Sequence, residues 1–182
     1  MIAIQDNPPV IYPEDASVEG IRSNWWVAHT RARHEKALAF DLRALEVSFF
    51  LPLVEKTTRI RGRRFRSMLP LFPGYLFFAG DGEARYNALV TSHVANVIPV
   101  PNQQQLVYEL GQIESALKAR TGLDPFPYLK RGRRCWVRSG PLRGTQGILM
   151  ERRGVTRLVL QIQILGQAVA TEVDPSVVEP VD

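Results

Sequence analysis

A proline followed by a glycine sits inside the most aromatic stretch of the chain, Leu71-Phe72-Pro73-Gly74-Tyr75-Leu76-Phe77-Phe78. Pro73 fixes φ and lacks a backbone donor, so no central strand can run through it. Gly74 accepts a φ that other residues resist. The pair predicts a sharp bend that opens into a new strand over residues 75–78. That strand is continuously apolar, the pattern of a strand buried on both faces. Read locally, the stretch is a core strand with a turn before it.

The residues just upstream are of opposite character. Arg59, Arg61, Arg63, Arg64 and Arg66 lie close together, and no acid occurs between Glu55 and Asp81. Residues 49–58 read as a strand interrupted or bent near Pro52, Arg61-Gly62-Arg63 as a turn, and 64–69 as the returning arm. The result is a basic hairpin leading into the bend. Charge on an edge protects a sheet from foreign strands, but five arginines without an acid exceed that need. An arginine forks two hydrogen bonds onto one phosphate, so these five are the candidate nucleic-acid contacts.

A helix is predicted over 33–47, where Leu38, Leu42 and Leu45 recur at helical spacing, and another over 103–119, where Leu106, Leu110, Ile113 and Leu117 form a stripe. Residues 25–30 and 94–100 read as strands. A short helix is expected over 83–92, with Tyr86, Leu89 and Val90 on one side. The order of elements implies an α+β layer with a mainly antiparallel sheet. Residues 1–23 hold three prolines and scattered acids without a period, and read as a flexible tail.

After residue 120 the texture changes. Residues 121–129 carry Gly122, Pro125 and Pro127 and read as a linker. Short strands separated by Gly or Pro turns follow, at 134–137, 146–150, 157–164 and 168–173, the spacing of a small barrel. The expected domains are therefore 24–120 and 130–182. Eight basic residues and one acid, Asp124, lie from Lys118 to Arg143. With a net charge of +5 this suits a polyanionic partner.

Catalysis has little support. His29, His34 and His93 are scattered, with His29 reading as structural and His34 as a solvated first-turn residue. The single cysteine, Cys135, excludes an internal disulfide and reads as a small core residue beside Trp136. No nucleophile elbow, phosphate loop or metal motif is present. No cofactor, metal or membrane span is expected, nor is a signal peptide, and a cytoplasmic monomer fits. Six aromatics, Phe49, Phe50, Phe72, Tyr75, Phe77 and Phe78, are more than one small sheet hides, so part of them is expected to form an apolar docking face.

Two motifs carry a resemblance. The Phe72-Pro73-Gly74-Tyr75 stretch resembles the signature of the N-terminal domain of the NusG family, bacterial transcription elongation factors that include NusG and RfaH. Gly140-Pro141-Leu142-Arg143-Gly144, followed by Gly147-Ile148-Leu149, resembles the KOW motif that closes those proteins. The resemblance spans residues 24–181. It implies an N-terminal α/β sandwich followed by an SH3-like KOW barrel, and no enzyme.

It also implies docking on RNA polymerase through Phe72 and Tyr75, with His29 where the family often adds an aromatic. Tyr86, Asn87 and Ala88 stand where RfaH-type members touch the opposite polymerase arm through His-Thr-Thr. Asp41 stands where RfaH reads exposed non-template DNA through a histidine. The implied nucleic-acid partner is non-template DNA, nascent RNA or both. In the KOW region, Ile164, Leu165 and Gly166 match the site that takes Rho or a small-subunit ribosomal protein, with an aliphatic side chain where the family has an aromatic. These departures suggest a specialised paralogue. The alternative is an RNA-binding ribosomal or ribosome-assembly protein, which would not need an aromatic face in the first domain.

Overall fold

The computed structural model describes residues 4–181. The chain forms two compact units that divide between Gln103 and Gln104. The first is built from β1 (Ile11–Tyr12), β2 (Trp25–Thr30), α1 (Glu35–Ala44), β3 (Ser48–Phe50), β4 (Leu53–Ile60), β5 (Arg63–Pro70), β6 (Tyr75–Ala79), α2 (Gly82–Val90) and β7 (Val94–Ile98). Five of these strands form one antiparallel sheet in the order β1-β3-β6-β2-β7. Alternation sends Ala28, Phe49, Leu76 and Phe78 to the face that packs with Leu38, Ala39 and Leu42 of α1 and Ala88 of α2. The other face holds Val27, Phe50 and Phe77, none of which is exposed at all. Burial on both faces explains the unbroken apolar runs in β3 and β6.

One expectation changes here. Residues 1–23 are not a loose tail throughout: β1 pairs with β3, Tyr12 stacks on Phe49 at 5.9 Å, and Val18 is fully buried. Two residues are too few to show a period, so the strand leaves no pattern to read. On α2, Tyr86, Leu89 and Val90 are exposed, and Ala88 is the residue that enters the core. The interruption expected near Pro52 is present: β3 and β4 are separate strands, divided at Leu51-Pro52. Here Leu51 N–H donates to Val10 O (2.7 Å), and Pro52 O accepts from Leu71 N–H (2.8 Å).

The second unit contains all but the first residue of α3 (Gln103–Ala119), with β8 (Asp124–Phe126), β9 (Arg133–Val137), β10 (Gln146–Arg152), β11 (Val155–Ile162), β12 (Gln167–Glu172) and β13 (Val178–Pro180). Its strands form an antiparallel sheet in the order β13-β9-β10-β11-β12-β8. No pairing joins β13 to β8 among the described residues, so the expected barrel is not closed by a strand ladder. The expected boundaries (24–120, 121–129, 130–182) differ from this division. β8 lies in the segment read as a linker. The third helix groups with the second sheet: Tyr108 and Gln112 are hydrogen-bonded to Gln146 of β10, and Glu109 to Gln163 in the turn after β11. Gly147 is required at its place in β10. A Cβ there would lie 2.6 Å from the Val159 carbonyl and 3.0 Å from Leu158 side-chain atoms.

Candidate functional site

The Phe72–Tyr75 bend is a type II turn. Tyr75 N–H donates to Phe72 O (3.1 Å), Pro73 occupies the position that needs φ near −60°, and Gly74 takes φ +86°. Three further contacts lock it. Thr30 N–H donates to Gly74 O (2.8 Å), and Gly74 N–H donates to Glu35 Oε1 (2.6 Å). Phe72 packs edge-on against Phe77, with centroids 6.3 Å apart. Glu35 is buried in the first turn of α1, so the helix start holds the bend through a charge-assisted bond.

This bend presents a small aromatic platform. Tyr75 and His29 are register partners in β6 and β2, and their rings stack at 5.1 Å with 23° between planes. His29 is exposed and Tyr75 half-buried. Alternation places both on the face away from α1 and α2. Phe72 is only 1% exposed, so it supports the bend from inside. Of the six aromatics, part of which was expected to form an exposed face, five are buried and only Tyr75 reaches the surface. His29 supplies the second ring, which the aromatic count could not anticipate.

Tyr86, Asn87 and Ala88 lie on α2, across the sheet from that platform. Tyr86 is 64% exposed, Asn87 is half-buried and Ala88 is in the core. The structure therefore does not bring them together with His29 and Tyr75.

A polar chain near α1 was invisible in the sequence. His34 Nδ1 lies 2.8 Å from His93 Nδ1, although the two residues are 59 positions apart. His93 Nε2 lies 3.2 Å from Asp41 Oδ2. In the neutral arrangement His93 donates to Asp41 and accepts from His34. His34 is thus an engaged residue rather than a solvated one, and Asp41 is already occupied by His93. The only usable signal was the pairing of polar residues with an aspartate on a helix face, which does not identify a partner so distant in sequence.

The basic hairpin is β4 paired with β5, joined by Arg61 and Gly62, both at positive φ (+49° and +78°). This two-residue primed turn suits the twist of a hairpin. All five arginines are exposed. The register separates them. Arg59 faces Arg64 and Arg66 faces Thr57, so Arg59, Arg64 and Arg66 share one face. Arg63 lies on the other face with Lys56, Ile60, Phe65 and Leu69, and Arg61 is at the tip. Arg66 makes an exposed ion pair with Glu55 (3.4 Å). The hairpin root is fixed by Lys36, whose ammonium donates to Met68 O (2.6 Å); burial lowers its pKa, and neighbouring Glu35 opposes that shift.

In the second unit, Ile164 and Leu165 are half-buried in the 3-10 turn between β11 and β12, and Gly166 is exposed in the left-handed region with φ +60°. Cys135 is buried in β9. Among the described residues, no group of three or more His, Cys, Asp or Glu side chains is placed to hold a metal. Among them, too, no helix is long and apolar enough to cross a membrane.

The family model described as "Transcription termination factor nusG" matches residues 23–114. This segment contains the bend, the platform and the hairpin. No curated protein matches the chain. Among solved structures, one described as "Domain interaction in Thermotoga maritima NusG" is 18% identical with a TM-score of 0.46, over 89% of this chain and 99% of that one. Another, an MjSpt4:Spt5 complex, is 12% identical with a TM-score of 0.27, over 87% of this chain and 97% of that one.

Proposed function

The chain belongs to the NusG family of transcription elongation factors, and from that premise we propose that its first unit docks on RNA polymerase while its second recruits a further partner. The observation that carries the docking reading is the His29–Tyr75 stack, held on a turn with three independent locks. A two-ring platform on a rigid bend loses little conformational entropy on binding, which is what an interface anchor needs. In this reading Phe72 acts from inside by fixing the bend. Tyr86, with Asn87 beside it, offers a separate contact on the opposite face of the sheet, suited to a second polymerase element.

The arginine hairpin contacts nucleic acid held by the same polymerase, non-template DNA or nascent RNA. We read the second unit as the SH3-like KOW module. Its turn at Ile164-Leu165-Gly166 presents the partner surface for Rho or a small-subunit ribosomal protein. The protein works without catalysis, as a cytoplasmic monomer. The departures from the family pattern at His29, Asp41 and Leu165 support a specialised paralogue. A purely ribosomal RNA-binding role would leave the His29–Tyr75 platform without a use.

The test is co-purification with RNA polymerase of the full chain carrying His29→Ala and Tyr75→Ala. Truncating buried interface aromatics commonly costs ~2 kcal/mol or more each, so polymerase should be lost from the eluate. Retention of polymerase by the double variant, with an unchanged circular dichroism spectrum, would remove the platform from the docking surface.

A further inference from the structure

The second unit contains a cleft of ≈ 240 Å³ between α3 and the β10–β11 pair. Its lining is rich in carboxamides. Three glutamines each use one half of the amide on the protein. Gln112 Oε1 accepts from Gln146 N–H (2.6 Å), Gln146 Oε1 accepts from the Tyr108 hydroxyl (2.7 Å), and Gln161 Nε2 donates to Leu129 O (3.0 Å). The remaining halves are two donors, Gln112 Nε2 and Gln146 Nε2, and one acceptor, Gln161 Oε1. None has a protein partner among the described residues.

Such a set of mixed donors and acceptors matches the edge of a nucleobase, which also places donors and acceptors side by side. Tyr128, 37% exposed, adds a ring at the mouth on which a base can stack. The cleft is smaller than the ~300–1,000 Å³ of drug-sized sites, so it takes a single ring and leaves the backbone of the ligand outside. Positive charge waits there. Lys130 and Arg131 follow Tyr128 and Leu129 directly, and Arg134 lines the cleft itself; all three are exposed. The one carboxylate in the lining, Glu109, is buried and already accepts from Gln105 Nε2 and Gln163 N–H.

We propose that this cleft is a second nucleic-acid site: it holds one unpaired base of a single strand, with the flanking phosphates on Lys130, Arg131 and Arg134. This gives a use to the second basic stretch of the chain, and it does not depend on the hairpin reading.

The test is fluorescence anisotropy of the full chain with labelled single strands of about ten nucleotides. The probes are a mixed-sequence RNA, the same sequence as DNA, and an abasic deoxyribose-phosphate strand of equal length. RNA and DNA should both bind, their ratio showing which strand the site prefers, and the abasic strand should bind about tenfold more weakly, the scale of one lost base stack. Tyr128→Ala should bring the base-bearing strands to the abasic level, while Tyr128→Phe, which keeps the ring, should bind like the parent. The preference for bases should survive Arg59→Ala/Arg64→Ala/Arg66→Ala. Equal binding of abasic and base-bearing strands would overturn the proposal, as would an unaltered Tyr128→Ala. If the base preference instead disappears with the hairpin arginines, the base site is on the hairpin: the cleft proposal falls and the hairpin reading stands.

Discussion

The hairpin register turns a loose expectation about five arginines into a face-specific one. Arg59 and Arg64 face each other, and Arg66 lies two residues further along β5 on the same side. Two residues of strand span ~6.8 Å, twice the ~3.4 Å axial spacing of phosphates along one DNA strand. These three guanidiniums can therefore follow one phosphate backbone together, whereas Arg63 points the other way. Replacing all three by alanine removes three phosphate contacts. The slope of log affinity against log salt should flatten by about 3 × 0.9 on duplex DNA or 3 × 0.7 on a single strand, roughly 2–3 in all. Between 50 and 200 mM salt, a fourfold change, the parent should then lose about 20–40-fold more affinity than the variant. The exposed Arg66–Glu55 pair does little to oppose this, since such pairs contribute about 0–1 kcal/mol. The assay is anisotropy titration of a labelled duplex and of a single strand across a salt series, with Lys56→Ala/Arg63→Ala as the opposite-face control. A triple variant with the parent's slope and a native circular dichroism spectrum would refute the assignment. A control that flattened the slope equally would refute the face.

Two further outcomes concern the second unit. Gly147→Ala should destabilise it by about 1–3 kcal/mol, the usual range for overpacking, because the new Cβ meets the Val159 carbonyl rather than a side chain able to move; chemical denaturation checks this, and an unchanged midpoint would show that the strands can separate cheaply. Burial raises the Glu109 carboxyl above its ordinary pKa of 4.5, with hydrogen bonds from Gln105 and Gln163 and the charge of Arg134 opposing it. The folded state therefore holds that proton more tightly than the unfolded chain. Its contribution is full below pH 4.5 and is lost as pH rises through the folded value. Glu109→Gln should flatten the fall in thermal stability above pH 4.5, and equal pH profiles for the two proteins would contradict the assignment.

What was legible in the sequence is what local chemistry decides. Pro73 and Gly74 dictate a turn in almost any setting, and the structure has one there. Arg61-Gly62 between two β-favouring arms could scarcely be anything but a hairpin tip. The stripe of Leu106, Leu110 and Ile113 is buried as its spacing required. What was not legible depends on partners distant in the chain. Phe72 looked like a surface anchor, but its edge contact with Phe77 puts it inside. His34 and His93 each looked isolated. Residues 83–92 showed a helix but not its inner face, which is the small Ala88 and leaves Tyr86, Leu89 and Val90 exposed. The amides of the cleft left no motif, since glutamines from α3, β10 and the end of β11 meet only after the second unit has folded.

The two-residue strand β1 has a consequence for the solution behaviour of the protein. It is the last rung on one side of the first sheet, lying against β3 and its fully buried Phe49 and Phe50. Short outer strands offer few free backbone groups to another chain. If residues 11 and 12 were peeled away or clipped, β3 would become the rim, with an aromatic row and an unused ladder of amides and carbonyls. That is a template for a foreign strand, including β3 of a second molecule. The acidic, proline-rich segment that carries β1 thus covers the edge where such pairing would start. Its loss would be felt first as clumping at high concentration, before any effect on the His29–Tyr75 platform at the other end of β6.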